Sequence, residues 1–261
     1  MKLSISNIAW SADQDPAVYS FLQEQQIDAI EIAPTRIFPS SPYRQLKQAS
    51  SWASDLKAHY GLSVSSMQSI WYGKTENLFS SPEERLILSE YTKAAIDFAA
   101  AVSCHNLVFG CPRNRCTDEN SRLSDAVDFF HELGEYAATK GTVLALEANP
   151  PIYHTNFINT TAEAIKLIQV VASRGFLLNL DIGTMLYNKE TPDFLYDHLS
   201  LINHIHISEP GLKQIERHPL HNELAALLHS QYQNYVSVEM GHQDDIAAIK
   251  NAIYYMKGLF Q

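Results

Sequence analysis

Eight times along its 261 residues this chain passes from a short apolar run to a longer amphipathic stretch, with turn residues at the junctions. Few folds accept that rhythm. The runs are KLSISNIAW, IDAIEIAP, LSVSSMQSI, HNLVFGCP, TVLALEAN, GFLLNLDIG, NHIHISEP and NYVSVEMG, each of strand length. Between them lie helix-like segments at 15–26, 41–61, 81–102, 118–141, 160–175, 191–200, 218–233 and 242–258. Asp15 before Pro16 and Ser81 before Pro82 read as helix starts, and Gly175 as a helix stop. Strands that alternate one by one with helices need crossover connections and therefore a parallel sheet. Eight of each predict a single-domain α/β fold over residues 1–261, a closed (β/α)8 or TIM barrel. An open doubly wound sheet is the alternative, but no G-x-G-x-x-G follows the first run.

The ends of four runs carry the chemistry. VLALEANP closes a core-like stretch of Val, Leu and Ala on a carboxylate, Glu147. An unpaired buried carboxylate costs several kcal/mol or neutralises itself, so such a group is found with a partner or a cation. The pattern recurs with Asp181 in FLLNLDIG, His206 in INHIHISEP and Glu239 in YVSVEMG. Strand alternation puts Glu147 on the face of Ala145, Asp181 on that of Asn179 and Glu239 on that of Ser237, so all four can aim at one axis. Barrel active sites lie at those C-terminal ends. Three carboxylates and an imidazole suit one divalent ion, with Mn, Mg, Co and Zn all admissible. Isolated structural polarity is the alternative for each residue alone. His204 shares the face of His206 but lies deeper, as support, and Glu209 is the substitute ligand if the register differs. Glu31 points inward either to support the site or to pair with Arg36.

The loop FGCPRNRC sets Arg113, Asn114 and Arg115 at the same mouth, suited to a phosphate or carboxylate. Asn149, His154, Trp71, Tyr72 and Trp10 are further candidates for substrate contact, whereas His221, Lys213 and Arg217 read as local structure. With Lys+Arg 19 against Asp+Glu 29 the net charge is -10, which argues against a nucleic-acid or anionic-membrane partner. No run approaches the roughly 20 apolar residues of a membrane span, and no signal-like stretch opens the sequence, so a cytoplasmic location is expected. Cys104, Cys111 and Cys116 lack the spacing of a zinc knuckle or disulfide framework and read as free thiols. Neither a P-loop nor a G-x-S-x-G elbow is present.

The order Glu147, Asp181, His206, Glu239 at the ends of strands five to eight resembles the xylose isomerase-like TIM barrel superfamily over nearly the whole chain. Its sugar phosphate isomerase/epimerase branch, with the ketose 3-epimerases, is most similar, and FGCPRNRC resembles a G-S-P-x-N-R loop of that branch. The resemblance implies a small sugar or sugar phosphate as substrate and one divalent metal held by the four residues. It also implies that Glu147 and Glu239 act as an acid/base pair through a metal-stabilised ene-diolate. By analogy a homodimer is expected. Two departures weigh on this: Thr184 stands where many relatives carry a His after Asp-x-x, and Tyr153 where ketose 3-epimerases tend to place a Glu. The alternatives are a lyase or dehydratase of a cyclic polyol, an endonuclease on abasic DNA, and a non-catalytic sugar-binding barrel.

Overall fold

Every apolar run becomes a strand in the computed structural model, which describes residues 1–229 and 231–260. The strands are β1 (Lys2–Ile5), β2 (Ala29–Ile32), β3 (Ser63–Met67), β4 (Asn106–Phe109), β5 (Val143–Glu147), β6 (Phe176–Asp181), β7 (Ile202–Ser208) and β8 (Tyr235–Glu239). They form one parallel sheet in the order β1-β8-β7-β6-β5-β4-β3-β2, and the parallel bridge Ser6↔Glu31 brings its two edges together as a nearly closed barrel. Alternation sorts the side chains. Leu107 and Phe109, Leu144 and Leu146, Leu178 and Leu180, and Ile205 and Ile207 turn outward and are fully buried beneath the helices. Inward go buried Ser66, Asn106, Asn179, His204, His206 and Ser237, so the barrel axis is polar and the apolar core is the layer between sheet and helices. One seam is loose: β3 and β4 share only the registered pair Met67↔Leu107.

Helices α1 (Asp15–Glu24), α2 (Pro34–Ile37), α3 (Leu46–Tyr60), α4 (Pro82–Ala101), α5 (Leu123–Thr139), α6 (Thr161–Val171), α7 (Ile182–Asn188), α8 (Pro219–Leu228) and α9 (Ile246–Phe260) fill the connections. Their starts follow ordinary capping chemistry. Ser81 accepts the Glu84 N–H at α4, and Thr160 with Glu163 makes a capping box at α6.

Four expectations need correction. Asp15 is the first residue of α1 and no cap; its carboxylate accepts from Trp10 Nε1 and from Arg36 instead. The 191–200 segment is a 3-10 helix, Pro192–Leu201. The α-helix after the sixth strand is the unforeseen α7, which starts on Asp181. Finally, α6 ends at Val171 with Ala172 left-handed, well before Gly175.

Candidate metal centre and active site

Register assembles the site. Across neighbouring strands Glu147 lies beside Asn179, Asp181 beside His206, and Ser208 beside Glu239, so polar residues from four consecutive strands meet at one level. One ligand atom from each of Glu147, Asp181, His206 and Glu239 falls within 4.8 Å of the others. His206 Nδ1 is 3.1 Å from Glu147 Oε2 and 3.1 Å from Glu239 Oε2. Ligands on an ion with bonds of about 2.1 Å stand roughly 3 Å apart when at right angles, so the donor set and its spacing fit one divalent cation.

Each group is fixed by neighbours. Asn149 and Asn179 donate to the two oxygens of Glu147, both at 2.7 Å. Asp181 accepts from the Thr184 N–H at 2.8 Å and from Ser208 Oγ, while the Thr184 hydroxyl lies 2.7 Å from its Oδ2. Thr184 therefore anchors Asp181 and supplies no imidazole. Gly183 is required here, because a Cβ at that position would meet Ser208 Oγ at 2.5 Å. Behind His206, Glu31 Oε2 sits 2.8 Å from Nε2 and 3.3 Å from His204 Nε2. Such a carboxylate fixes the imidazole tautomer and turns Nδ1 to the cavity. Glu31 thus supports the site, and Arg36 pairs with Asp15 at 2.6 Å.

The electrostatics of the cluster are those of a site that could hold a cation. Burial, then the charge of Glu147, pushes Asp181 up to about 6. Burial pushes Glu239 up to about 7 against the pull of His206. For His206, burial works downward but is outweighed by Glu31 and Glu239, and its pKa stands well above the usual imidazole value. Burial would raise Glu31, yet His206 and His204 hold it well below the ordinary carboxylate range. Crowded carboxylates that can be satisfied only by keeping protons are satisfied equally by a divalent ion.

Above the four residues opens a cavity of about 480 Å³ lined by Gln68, Trp71, Arg113, Asn149, Tyr153 and Leu212 among others. The anticipated substrate residues divide. Arg113 is exposed at its mouth, and Trp71 forms a buried wall, its Nε1 donating to Thr92 and its ring edge-on to Phe109. Asn149 lines the cavity but is already committed to Glu147.

Arg115 is not at the rim. It is fully buried and donates to the Phe157 and Glu147 carbonyls and to Asn149 Oδ1 at 2.9, 3.0 and 2.7 Å. His154 is exposed, with a left-handed backbone, and does not line the cavity. Nor does Trp10, while Tyr72 stands exposed at the mouth. Glu209 is bound to His218 and plays no part in the cluster, and His221 meets Tyr255 away from it. Arg217 covers the Tyr255 ring. Tyr153, in the place of a Glu, accepts from the Gly211 N–H at 2.8 Å. Sequence reasoning missed Gln68, Ser208 and the roles of Asn179 and Thr184. For Asn179 and Ser208 the only signal was polarity at inward strand positions, and for Thr184 its place three residues after Asp181.

The xylose isomerase-like TIM barrel family model matches residues 21–259 of this chain. Among solved structures, apo 3-keto-D-glucoside 4-epimerase from E. coli is similar at 19% identity with a TM-score of 0.77, covering 99% of each chain. D-psicose 3-epimerase from Clostridium cellulolyticum H10 is similar at 16% identity with a TM-score of 0.78, covering 100% of each. An AP endonuclease, family 2, from Brucella melitensis is similar at 16% identity with a TM-score of 0.72, covering 99% of each. No curated protein matches. At these identities the likeness is one of fold.

Proposed function

The chain belongs to the xylose isomerase-like TIM barrel family, and on that premise we propose that it is a divalent-metal-dependent isomerase or epimerase of a small sugar or sugar phosphate. One observation carries the reading: Glu147 and Glu239 converge on the same His206 nitrogen at the floor of a cavity of sugar size. The sugar epimerases among the similar structures support it. Glu147, Asp181, His206 and Glu239 would hold the cation, which when bound polarises a carbonyl and makes the adjacent C–H acidic.

The residues do the rest. Glu147 and Glu239 would flank a substrate lying across the floor, one toward each face of the reacting carbon. One takes the proton from the carbon beside the carbonyl, and the electron pair moves into an ene-diolate. The other returns a proton to the opposite face, which inverts that centre. Return to the neighbouring carbon would give isomerisation instead. In the metal-free chain burial lifts Glu239 to about 7, so a proton resides there readily, and a bound cation would lower that value. Asn149 and Asn179 keep Glu147 from swinging away, Trp71 walls the sugar, and Arg113 receives a phosphate or carboxylate if the substrate bears one.

The test is elemental analysis of bound metal, followed by solvent deuterium incorporation over a panel of ketoses, aldoses and their phosphates. One metal per chain and exchange into carbon without change of mass balance are expected. Loss of water would make the protein a lyase, and several metals with cleavage of abasic DNA an endonuclease. Sugar affinity without exchange would make it a binding barrel. Glu147→Gln and Glu239→Gln should each abolish exchange; turnover retained in either removes the two-base scheme.

A further inference from the structure

A second cavity, of about 830 Å³, opens at the opposite end of the barrel and shares no lining residue with the first. It follows from the loose seam. The six other neighbouring strand pairs in the sheet order share four registered residues each, whereas β3 and β4 share one. Their N-terminal halves part, and the space between runs from the ends of α3 and α4 inward to Asn106 and His204.

Its walls contradict the composition of the chain. Acids outnumber bases 29 to 19 overall, yet among the described residues no Asp or Glu lines this cavity, and Lys2, Lys57 and His105 do. Lys2 and Lys57 are exposed at the rim. Further in, among Val64 and Val102, stand Ser65, Asn106 and His204. Ser65 Oγ is buried without a hydrogen-bond partner, and Asn106 is fixed beside it, donating to Ser66 Oγ at 2.8 Å and accepting from Asn203 Nδ2 at 2.7 Å. Cations over a bed of serine hydroxyls and carboxamides complement a molecule carrying one anionic group and several hydroxyls. Such a ligand would rest against His204, which Glu31 joins to His206.

We propose that this N-terminal cavity is a second ligand site, taking a small phosphorylated sugar with its phosphate toward Lys2 and Lys57 and its hydroxyls toward Ser65 and the asparagines. The site goes beyond the reaction assigned above and stands whether or not that reaction occurs. Calorimetric titration of the full chain with D-fructose 6-phosphate and with inorganic phosphate tests it, using three variants. The double change Lys2→Met/Lys57→Met removes the charge, Ala58→Trp plugs the opening, and Arg113→Met removes the cation of the reaction mouth.

The sugar phosphate should bind this site equally in native and Arg113→Met protein, and any second equivalent, at the reaction mouth, should weaken in Arg113→Met alone. At this site it should bind at least tenfold more weakly in both cavity variants, which change only exposed side chains and should keep the native Tm. Inorganic phosphate should bind at least tenfold more weakly than the sugar phosphate. Binding lost in Arg113→Met but retained in the cavity variants would overturn the assignment. So would equal affinity for the two probes, or no binding at all.

Discussion

Arg115 keeps its charge where water does not reach, and burial lowers its pKa to about 10. Its hydrogen-bond acceptors are two carbonyls and a carboxamide, one of them the Glu147 carbonyl and another the amide that grips the Glu147 carboxylate. It acts as a strut on an acid/base candidate. Arg115→Met would leave those acceptors short of donors at about 1–3 kcal/mol each where no water replaces it, so a Tm lower by several degrees is expected. Metal affinity should fall with it, and Arg115→Lys should not rescue either value because an ammonium cannot fork. Native affinity in Arg115→Met would refute the strut. Glu31 stands in the same relation to His206: Glu31→Ala should weaken metal binding roughly 10–100-fold in a direct titration. An unchanged affinity would show that His206 needs no orienting partner. The four candidate ligands were legible because each interrupts an apolar strand at its end. Arg115 was not, because a loop sequence does not reveal that the loop folds its own cation inward. Ser208 and Asn179 were hidden for another reason, since Ser and Asn on an inward face also occur as ordinary satisfied polarity.

Strands and helices were legible where apolar spacing alone decides them, which is why seven strands fall inside the anticipated runs and the eighth, β7, starts one residue before its own. Where tertiary contact decides, the reading slipped. Gly175 looks like a helix stop but serves packing: a Cβ there would lie 2.0 Å from the Gly134 carbonyl of α5. Gly175→Ala should therefore push α5 off the start of β6 and cost about 1–3 kcal/mol or more, read as a lower midpoint in urea denaturation. A midpoint equal to native would mean the two elements have slack there. The helix α7 was missed because its N-cap is Asp181 itself, whose carboxylate accepts the Thr184 N–H. One residue ends a strand, caps a helix and faces the centre, and of these tasks only the cap was hidden in the sequence. The parted β3–β4 seam was equally invisible, since LSVSSMQSI and HNLVFGCP are unremarkable strands taken singly.

At the scale of the molecule, a polar barrel axis exchanges stability for a place to put an ion, and pH should expose the exchange. In the metal-free chain, burial lifts Asp181 to about 6 and Glu239 to about 7, against roughly 4 for these carboxylates when unfolded. On these two groups the folded state holds extra protons between about pH 4 and 7, but burial holds His204 below the ordinary imidazole value and His221 down at about 4, which offsets them below about pH 6.5, so unfolding free energy falls with rising pH above that point. His206, raised above its ordinary value, adds the same sign at higher pH. Glu31, held low, contributes stability that is lost only on acidification below the usual carboxylate range, so it does not reverse the slope. A divalent ion replaces the protons and competes best where they leave. Chelated protein should thus lose Tm from about pH 6.5 to 8, and saturating Mn²⁺ should restore it increasingly toward pH 8. At a hundredfold excess over Kd the gain is about 2.7 kcal/mol, roughly 5–10 °C for a chain of this size. Glu239→Gln removes one titrating carboxylate and should flatten the slope of the chelated protein. A chelated chain whose Tm is level from about pH 6.5 to 8, with no response to metal at pH 8, would mean that the four side chains are satisfied by each other and that no ion completes them.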